Sequence, residues 1–165
     1  MDGNYNEYIK DLTTKVTKEN KKLYKVNWME ITKAYLKDLT YQINGAAIEV
    51  HKFLGPGLLE SIYHKCLKRE LDLRGISYQP ELLVPINFKG LDVDTNLRCD
   101  LFIENCIVLE LKTVDTFAPI HQAQLLTYMK LLKAPKGILY NFNSVNLYKE
   151  GQLTLVNEFF RILEE

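Results

Sequence analysis

Two short apolar segments between Arg98 and Lys112 carry charged residues at spacings that could do chemistry. Because side chains along a strand alternate between its two faces, Arg98 shares a face with Asp100. In the second segment, Glu110 shares a face with Lys112 for the same reason. A hairpin centred on Asn105 places Asp100 directly opposite Glu110. The same register places Arg98 opposite Lys112, so two acids and two bases are predicted to converge.

A second register is open to this hairpin. A two-residue turn at Glu104-Asn105 sets Asp100 against Leu109 and so puts a carboxylate among apolar groups. The register depends on which face is buried, because a slip of one residue moves every side chain to the other face. We therefore predict the first register, which leaves one apolar face for the core: Leu101, Ile103, Leu109 and Leu111.

Two carboxylates about 5 Å apart on neighbouring strands repel each other unless a positive charge lies between them. Arg98 and Lys112 supply part of that charge. A divalent cation supplies more, since Mg²⁺ is typically held by one or two carboxylates together with water and a substrate phosphate. The hairpin by itself is equally consistent with a half-buried ladder of salt bridges, because structural ion pairs also occur in such places.

The composition limits the classes of protein to consider. A chain of 165 residues with 47% hydrophobic and 25% charged residues is typical of one soluble globular domain. Its formal net charge is zero. The chain therefore lacks the overall basic field of a protein that coats nucleic acid non-specifically. An enzyme that meets phosphate through a metal ion remains compatible with this charge.

Cysteine usage and the N-terminus predict a cytoplasmic protein. The three cysteines, Cys66, Cys99 and Cys106, lack the spacing of metal ligands. An odd count of this kind is typical of buried free thiols in a reducing compartment. No apolar run approaches the roughly 20 residues that span a membrane. The first residues also lack the pattern of a signal peptide.

The chain divides into an extension and one domain. Residues 1–28 are polar and lysine-rich, which is typical of a solvated face and is also compatible with an arm that contacts DNA. Apolar residues then recur at steps of three and four from about residue 30, which predicts a helix that ends at Gly55-Pro56-Gly57. We accordingly predict an N-terminal extension over residues 1–28 and a folded domain over residues 29–165.

Two further helices position candidate polar residues. A second helix over about residues 58–74 has Glu60 in its first turn, where an acid can complement the helix dipole or face a site. A third helix over about residues 119–132 begins at a proline, which is tolerated there. His121, Gln124 and Tyr128 share one face of this helix because their spacings are three and four residues.

The remaining segments are predicted strands. They cover residues 76–78, 82–88, the hairpin already described, 137–142, 147–148 and 153–160, with turns at Lys89-Gly90 and Lys149-Glu150-Gly151. The order of elements is two helices, a group of strands, a third helix and a final group of strands. This order predicts a single α/β domain with a central mixed sheet flanked by helices.

The segment Gly57-Leu-Leu-Glu60-Ser-Ile-Tyr63 resembles the signature of the GxxExxY protein family. Other motifs of that family follow in order through about residues 30–155: residues 45–57, Arg98-x-Asp100-Leu, Glu110-Leu-Lys112, His121-Gln-Ala-Gln124-Leu-Leu-Thr-Tyr128 and Asn141-Phe-Asn143. The family is grouped with the PD-(D/E)XK nuclease-like superfamily, and the resemblance therefore implies a restriction-endonuclease-like core.

The superfamily signature is an Asp followed by Glu-x-Lys, which Asp100 and Glu110-Leu111-Lys112 match. Cys99 stands where the proline of the superfamily name would be. Gln124-x-x-x-Tyr128 looks like the helix motif that follows Glu-x-Lys in RecB-type nucleases.

The resemblance implies a role for each of these residues. Catalysis falls to Asp100, Glu110, Lys112 and Gln124. The ligands of Mg²⁺ (or Mn²⁺) are Glu60, Asp100, Glu110 and the carbonyl oxygen of Leu111. Nucleic-acid contacts fall to Arg98, Tyr128 and His121. The other histidines, His51 and His64, are predicted to be structural.

The function implied is a Mg²⁺-dependent nuclease that hydrolyses phosphodiester bonds, with DNA rather than RNA as the first expectation. The alternative is a catalytically silent nuclease-fold module that binds nucleic acid or a protein, because a fold does not fix an activity. Zero net charge favours the module, whereas the intact Asp100, Glu110 and Lys112 set favours the enzyme. The sequence is compatible with a homodimer and does not require one.

Overall fold

The computed structural model describes residues 31–165 of the chain. The predicted extension over residues 1–28 and its suggested DNA-contacting role lie outside this range. The elements in chain order are α1 (Lys33–Leu54), α2 (Glu60–Leu73), β1 (Tyr78–Leu83), β2 (Ile86–Phe88), β3 (Leu91–Val93), β4 (Arg98–Ile103), β5 (Ile107–Lys112), α3 (Pro119–Leu131), β6 (Lys136–Asn141), β7 (Gln152–Val156) and α4 (Glu158–Arg161). None of these helices combines the length and the apolar character needed to cross a membrane.

Five strands form one mixed sheet in the order β1-β4-β5-β6-β7. Strands β5 and β6 are parallel, whereas the other neighbouring strands are antiparallel. Helix α3 lies between β5 and β6 in the chain, because parallel strands need a connection that crosses a face of the sheet. The predicted α/β class, with a mixed sheet flanked by helices in one domain, is confirmed.

The two faces of the sheet bury different sets of residues because side chains alternate along each strand. Leu101 and Leu109 pack on one face with the apolar stripes of α1 and α2. Phe102 and Val108 pack on the opposite face with Leu125 and its neighbours on α3. Strand β5 lies between paired neighbours and is buried on both faces.

Helix α1 begins and ends at residues whose chemistry explains its limits. The Thr32 hydroxyl oxygen accepts a hydrogen bond from the Tyr35 amide at 3.1 Å, which satisfies a free donor of the first turn. The helix stops where Gly55 takes a φ of +69°, a conformation that favours glycine. The predicted end at Gly55-Pro56-Gly57 is confirmed, while the helix starts at Lys33 rather than near residue 30.

The β4–β5 hairpin has the predicted register. Its paired residues are Leu101 with Leu109, Phe102 with Val108, and Ile103 with Ile107. Glu104 and Asn105 lie in the turn with φ values of +47° and +54°, and the Cys106 amide closes the turn on the Ile103 carbonyl at 2.9 Å. The alternative two-residue turn is therefore wrong.

Four predicted strands differ from the structure. The strand predicted over residues 76–78 is β1, which runs instead from Tyr78 to Leu83. Residues 86–93 form a separate two-stranded sheet, β2 with β3, around the predicted turn at Lys89-Gly90. Leu147 and Tyr148 lie in a turn, closed by hydrogen bonds from the Glu150 and Gly151 amides to carbonyls four residues earlier. Strand β7 ends at Val156, because the Asn157 side chain accepts from the Phe159 amide at 3.0 Å and begins the short helix α4.

Candidate active site

Strands β4 and β5 separate immediately beyond the Leu101–Leu109 pair. The Asp100 amide donates to the Glu110 Oε1 atom at 3.2 Å. The Leu111 amide donates to the Asp100 Oδ2 atom at 2.7 Å. These carboxylates take the places of backbone carbonyls as acceptors, so the two acids occupy a gap between the strands. This gap is called the β4–β5 gap below.

The predicted pairing of Arg98 with Lys112 is not part of the β4–β5 ladder. Arg98 pairs instead with Leu83 of β1 and its side chain is exposed. The physical reason is that the carboxylates of Asp100 and Glu110 bond to backbone amides between the strands and end the ladder before it reaches Arg98.

Glu110 is the most deeply buried acid of the site, with 1% of its surface exposed. Burial raises the pKa of Glu110 to about 7, and the negative charge of Asp100 adds to this rise, whereas Lys112 opposes it. The Lys112 Nζ atom lies 3.3 Å from the Glu110 Oε2 atom. The acid pair is therefore only partly compensated by the protein's own cation.

Lys112 carries a fixed positive charge at the site. Burial lowers the pKa of Lys112, but the carboxylates of Glu110, Asp100 and Glu60 together outweigh that effect and leave the pKa above its ordinary value. The ammonium group is consequently stabilised rather than primed to lose a proton. It suits stabilisation of negative charge and does not suit the role of a general base.

Helix α2 is held at its start by Tyr63. The Tyr63 hydroxyl donates to the Gly55 carbonyl oxygen at 2.6 Å and accepts from the Leu58 amide at 3.1 Å. Its ring is fully buried and stacks on Phe142 with the ring centres 4.6 Å apart. These contacts fix the turn before α2 and make Glu60 the first residue of the helix.

Glu60 and His64 lie four residues apart on α2 and therefore face the same side. The His64 Nε2 atom lies 3.4 Å from the Asp100 Oδ2 atom. Ligand atoms of Glu60, His64 and Asp100 all lie within 4.8 Å of one another, and all three residues are half-buried. This group, called the Glu60–His64–Asp100 cluster, can hold a metal ion. The sequence predicted a structural role for His64. Its four-residue spacing from Glu60 is the signal that could have identified it as a neighbour of the site.

Glu110 and Leu111 lie beside this cluster rather than within it. Glu110 accepts from the Asp100 amide and contacts Lys112. The Leu111 amide points to Asp100 across the β4–β5 gap. Because the N–H and C=O of one strand residue point to the same edge, the Leu111 carbonyl oxygen faces the same gap.

Helix α3 packs on the face of the sheet opposite to α2 and carries Tyr128 near the acid pair. The Gln124 Nε2 atom donates to the Tyr128 hydroxyl at 2.8 Å. Burial raises the pKa of Tyr128, and the charges of Glu110 and Asp100 raise it further, against the lowering effect of the Gln124 hydrogen bond. Tyr128 is therefore a neutral phenol near the acids, with half-buried Gln124 fixed beside it.

His121 is engaged at the start of α3. Its Nδ1 atom accepts a hydrogen bond from the Ala118 amide at 3.2 Å. This contact satisfies a donor that the helix leaves free at its N-terminus. The structure therefore gives His121 a capping contact, and its predicted contact with nucleic acid stays a prediction.

The cysteines have no part in this chemistry. Cys99 and Cys106 are buried free thiols, and Cys66 is half-buried. Burial raises the pKa of both Cys99 and Cys106 to about 12. Both groups accordingly stay protonated and poorly nucleophilic near neutral pH.

The geometry agrees with a comparison against known families. A sequence model described as the PD-(D/E)XK nuclease superfamily matches residues 37–153. The chain belongs to the PD-(D/E)XK nuclease superfamily. The matched span contains the Glu60–His64–Asp100 cluster, the β4–β5 gap and α3. No curated protein and no solved structure matches the chain. Membership of the narrower GxxExxY family stays a prediction.

Proposed function

We propose that this protein is a metal-dependent nuclease that hydrolyses phosphodiester bonds of nucleic acid. The observation that carries the proposal is the β4–β5 gap, where Asp100 and buried Glu110 lie together beside the Lys112 ammonium. A binding module has no need of two partly uncompensated carboxylates, because burying like charges costs stability. The superfamily to which the chain belongs supports the same activity.

The residues present fit a divalent metal ion. The repulsion that helps to raise the pKa of Glu110 comes from Asp100, and a bound cation would relieve it. The donors near the β4–β5 gap are chiefly oxygen atoms, which hard cations prefer. The ligands that we propose for Mg²⁺ or Mn²⁺ are Glu60, Asp100, Glu110 and the Leu111 carbonyl oxygen.

A divalent ion held by these residues would polarise a phosphate oxygen of the substrate and lower the pKa of a bound water molecule. The chain's own contribution begins with Lys112, whose ammonium group stabilises the negative charge that develops on the phosphate in the transition state. Glu110 holds that ammonium in place through the 3.3 Å contact. Burial of the pair strengthens these interactions because the local dielectric constant is low.

Helix α3 and strand β4 contribute the groups that position the substrate. Gln124, held by Tyr128, orients Lys112 or the nucleotide, and Tyr128 contacts the backbone of the substrate or packs beside it. Exposed Arg98 neutralises a phosphate at the start of β4. We propose DNA rather than RNA as the substrate. The catalytic domain is proposed to start near residue 29.

The second candidate is the catalytically silent module, which the zero net charge favours. Weak electrostatic attraction to phosphates is expected under either candidate function. The two candidates differ in turnover, since the module tolerates Glu110→Gln without loss of affinity, while the nuclease does not tolerate this change in catalysis.

The test is cleavage of labelled single- and double-stranded DNA and RNA by the full chain with Mg²⁺ or Mn²⁺. We expect cleavage by the wild type and its loss in Lys112→Ala and Asp100→Asn. Lys149→Ala is the matched control, because Lys149 is an exposed lysine in a turn. Absence of cleavage, together with calorimetric Mn²⁺ binding that Asp100→Asn leaves unchanged, would overturn the nuclease and favour the module.

A further inference from the structure

The Glu60–His64–Asp100 cluster differs from an all-oxygen metal site in one donor. The His64 Nε2 atom lies 3.4 Å from the Asp100 Oδ2 atom. A ring nitrogen of His64 lies within 4.8 Å of a carboxylate oxygen of both Glu60 and Asp100. His64 is one helical turn from Glu60, and the Tyr63 contacts with the preceding turn fix the start of this helix. The imidazole is therefore oriented by the fold toward the same space as the carboxylates.

The other two histidines of the chain use their rings differently. The His51 Nε2 atom lies 2.8 Å from the Ser144 carbonyl oxygen, and the His121 Nδ1 atom accepts from the Ala118 amide. Within residues 31–165, which contain all three histidines, His64 is the one with a ring nitrogen against a carboxylate. A structural contact with the backbone explains the other two and does not explain His64.

An imidazole donor changes which ions a site favours. Mg²⁺ takes oxygen ligands and retains several waters, so a nitrogen ligand adds little to its binding. Divalent transition metals accept imidazole readily, and the affinity of a mixed nitrogen and oxygen site rises along the series that begins with Mn²⁺. Two carboxylates with one imidazole therefore discriminate between these two groups of ions.

We propose that His64 is a metal ligand and that it makes the site bind a divalent transition-metal ion, with Mn²⁺ as the probe, in preference to Mg²⁺. This inference rests on the metal site of the proposed function and names its ion. His64 joins the ligands proposed above: Glu60, His64 and Asp100 coordinate the ion from one side, and Glu110 and the Leu111 carbonyl oxygen coordinate it from the side of the β4–β5 gap.

The experiment follows Mn²⁺ bound to the full chain by calorimetry and by pulsed electron paramagnetic resonance, without substrate. A coordinated imidazole gives nitrogen modulation in the resonance signal, and ¹⁵N-histidine in the wild type changes that modulation without any substitution. We expect His64→Gln to remove the modulation and to weaken Mn²⁺ binding by about tenfold or more, as changes near metal ligands do. Mg²⁺ binding should change much less.

The control is His51→Gln, which should keep both the modulation and the affinity. Mn²⁺ bound without nitrogen modulation in the labelled and unlabelled wild type would overturn the role of His64 while leaving the proposed function intact. Equal affinities for Mn²⁺ and Mg²⁺ would overturn the preference. Absence of any binding that depends on Asp100 would overturn the metal site and the proposed function together.

Discussion

The Tyr63 hydroxyl lies 2.6 Å from the Gly55 carbonyl oxygen and donates a hydrogen bond to it. The same hydroxyl accepts from the Leu58 amide, so one buried side chain of α2 binds both ends of the preceding turn. Phe142, the residue after β6, supports the ring from the sheet side. The position of Glu60 therefore depends on a phenol three residues later in the chain.

Replacement of Tyr63 by Phe is expected to weaken metal binding as well as stability. The ring keeps its stacking, but the Gly55 carbonyl and the Leu58 amide lose their partner, at a cost of about 1–3 kcal/mol. Urea unfolding measures the stability, and Mn²⁺ calorimetry measures the binding. Tyr148→Phe is the control because Tyr148 is exposed. Unchanged Mn²⁺ affinity in a destabilised Tyr63→Phe protein would restrict Tyr63 to packing.

The metal-free protein is expected to lose stability as the pH rises from about 4.5 to about 7. The pKa of Glu110 is raised in the folded protein, so in this window the folded state binds more protons than the unfolded state. The stability contributed by neutral Glu110 is thus fully present below about pH 4.5 and is lost once the pH reaches about 7. Urea unfolding in chelator at several pH values measures this slope.

Glu110→Gln is the matched variant for the pH series because the amide does not titrate. The difference in unfolding free energy between Glu110→Gln and the wild type should grow in favour of the variant as the pH rises through the same window. Equal slopes for the two proteins would show that Glu110 is not the group responsible.

In the Lys112→Ala variant, Mn²⁺ binding is expected to strengthen only at a higher pH than in the wild type. The charge of Lys112 lowers the pKa of Glu110, as does the hydrogen bond from the Asp100 amide, so removal of Lys112 raises that pKa further. A proton must leave Glu110 before an ion can bind there, and Mn²⁺ affinity then rises at higher pH than in the wild type. Calorimetry at several pH values checks this. An unchanged pH profile would mean that Glu110 is not coupled to metal binding.

Gly137→Ala is expected to destabilise the domain by about 1–3 kcal/mol through overpacking. A Cβ atom at Gly137 would lie 2.6 Å from the Met129 sulfur and 2.8 Å from Leu125 Cδ1. The side-chain ends of Met129 and Leu125 must then move. Any accompanying shift of α3 from β6 also moves Gln124 and Tyr128, so cleavage should decline with it. In the Leu125→Ala background the added methyl should cost less. Additive losses of unfolding free energy would contradict this contact.

Several features of the fold follow from local sequence, and the reasons are specific. The register of the β4–β5 hairpin was predictable because one parity of its residues is apolar. The end of α1 was predictable because Gly55 and Pro56 interrupt the helical pattern. In both cases the deciding groups are close in the sequence.

The β4–β5 gap and the placement of His64 depend on contacts between distant segments. The strands separate because side chains of Asp100 and Glu110 replace backbone acceptors, which no periodicity reports. His64 meets Asp100 because α2 packs on the sheet, and a histidine on a helix is by itself more often structural. The helix α4 was missed because its signal is a single capping residue, Asn157.

The donors of the Glu60–His64–Asp100 cluster come from two parts of the chain, with β1, β2 and β3 between them. An ion held by all three would act as a removable cross-link that closes this long loop, much as a disulfide does. Because such an ion binds the folded chain and not the unfolded one, it would raise the melting temperature in proportion to the logarithm of its free concentration. Metal supply would then govern the lifetime of the protein as well as its chemistry.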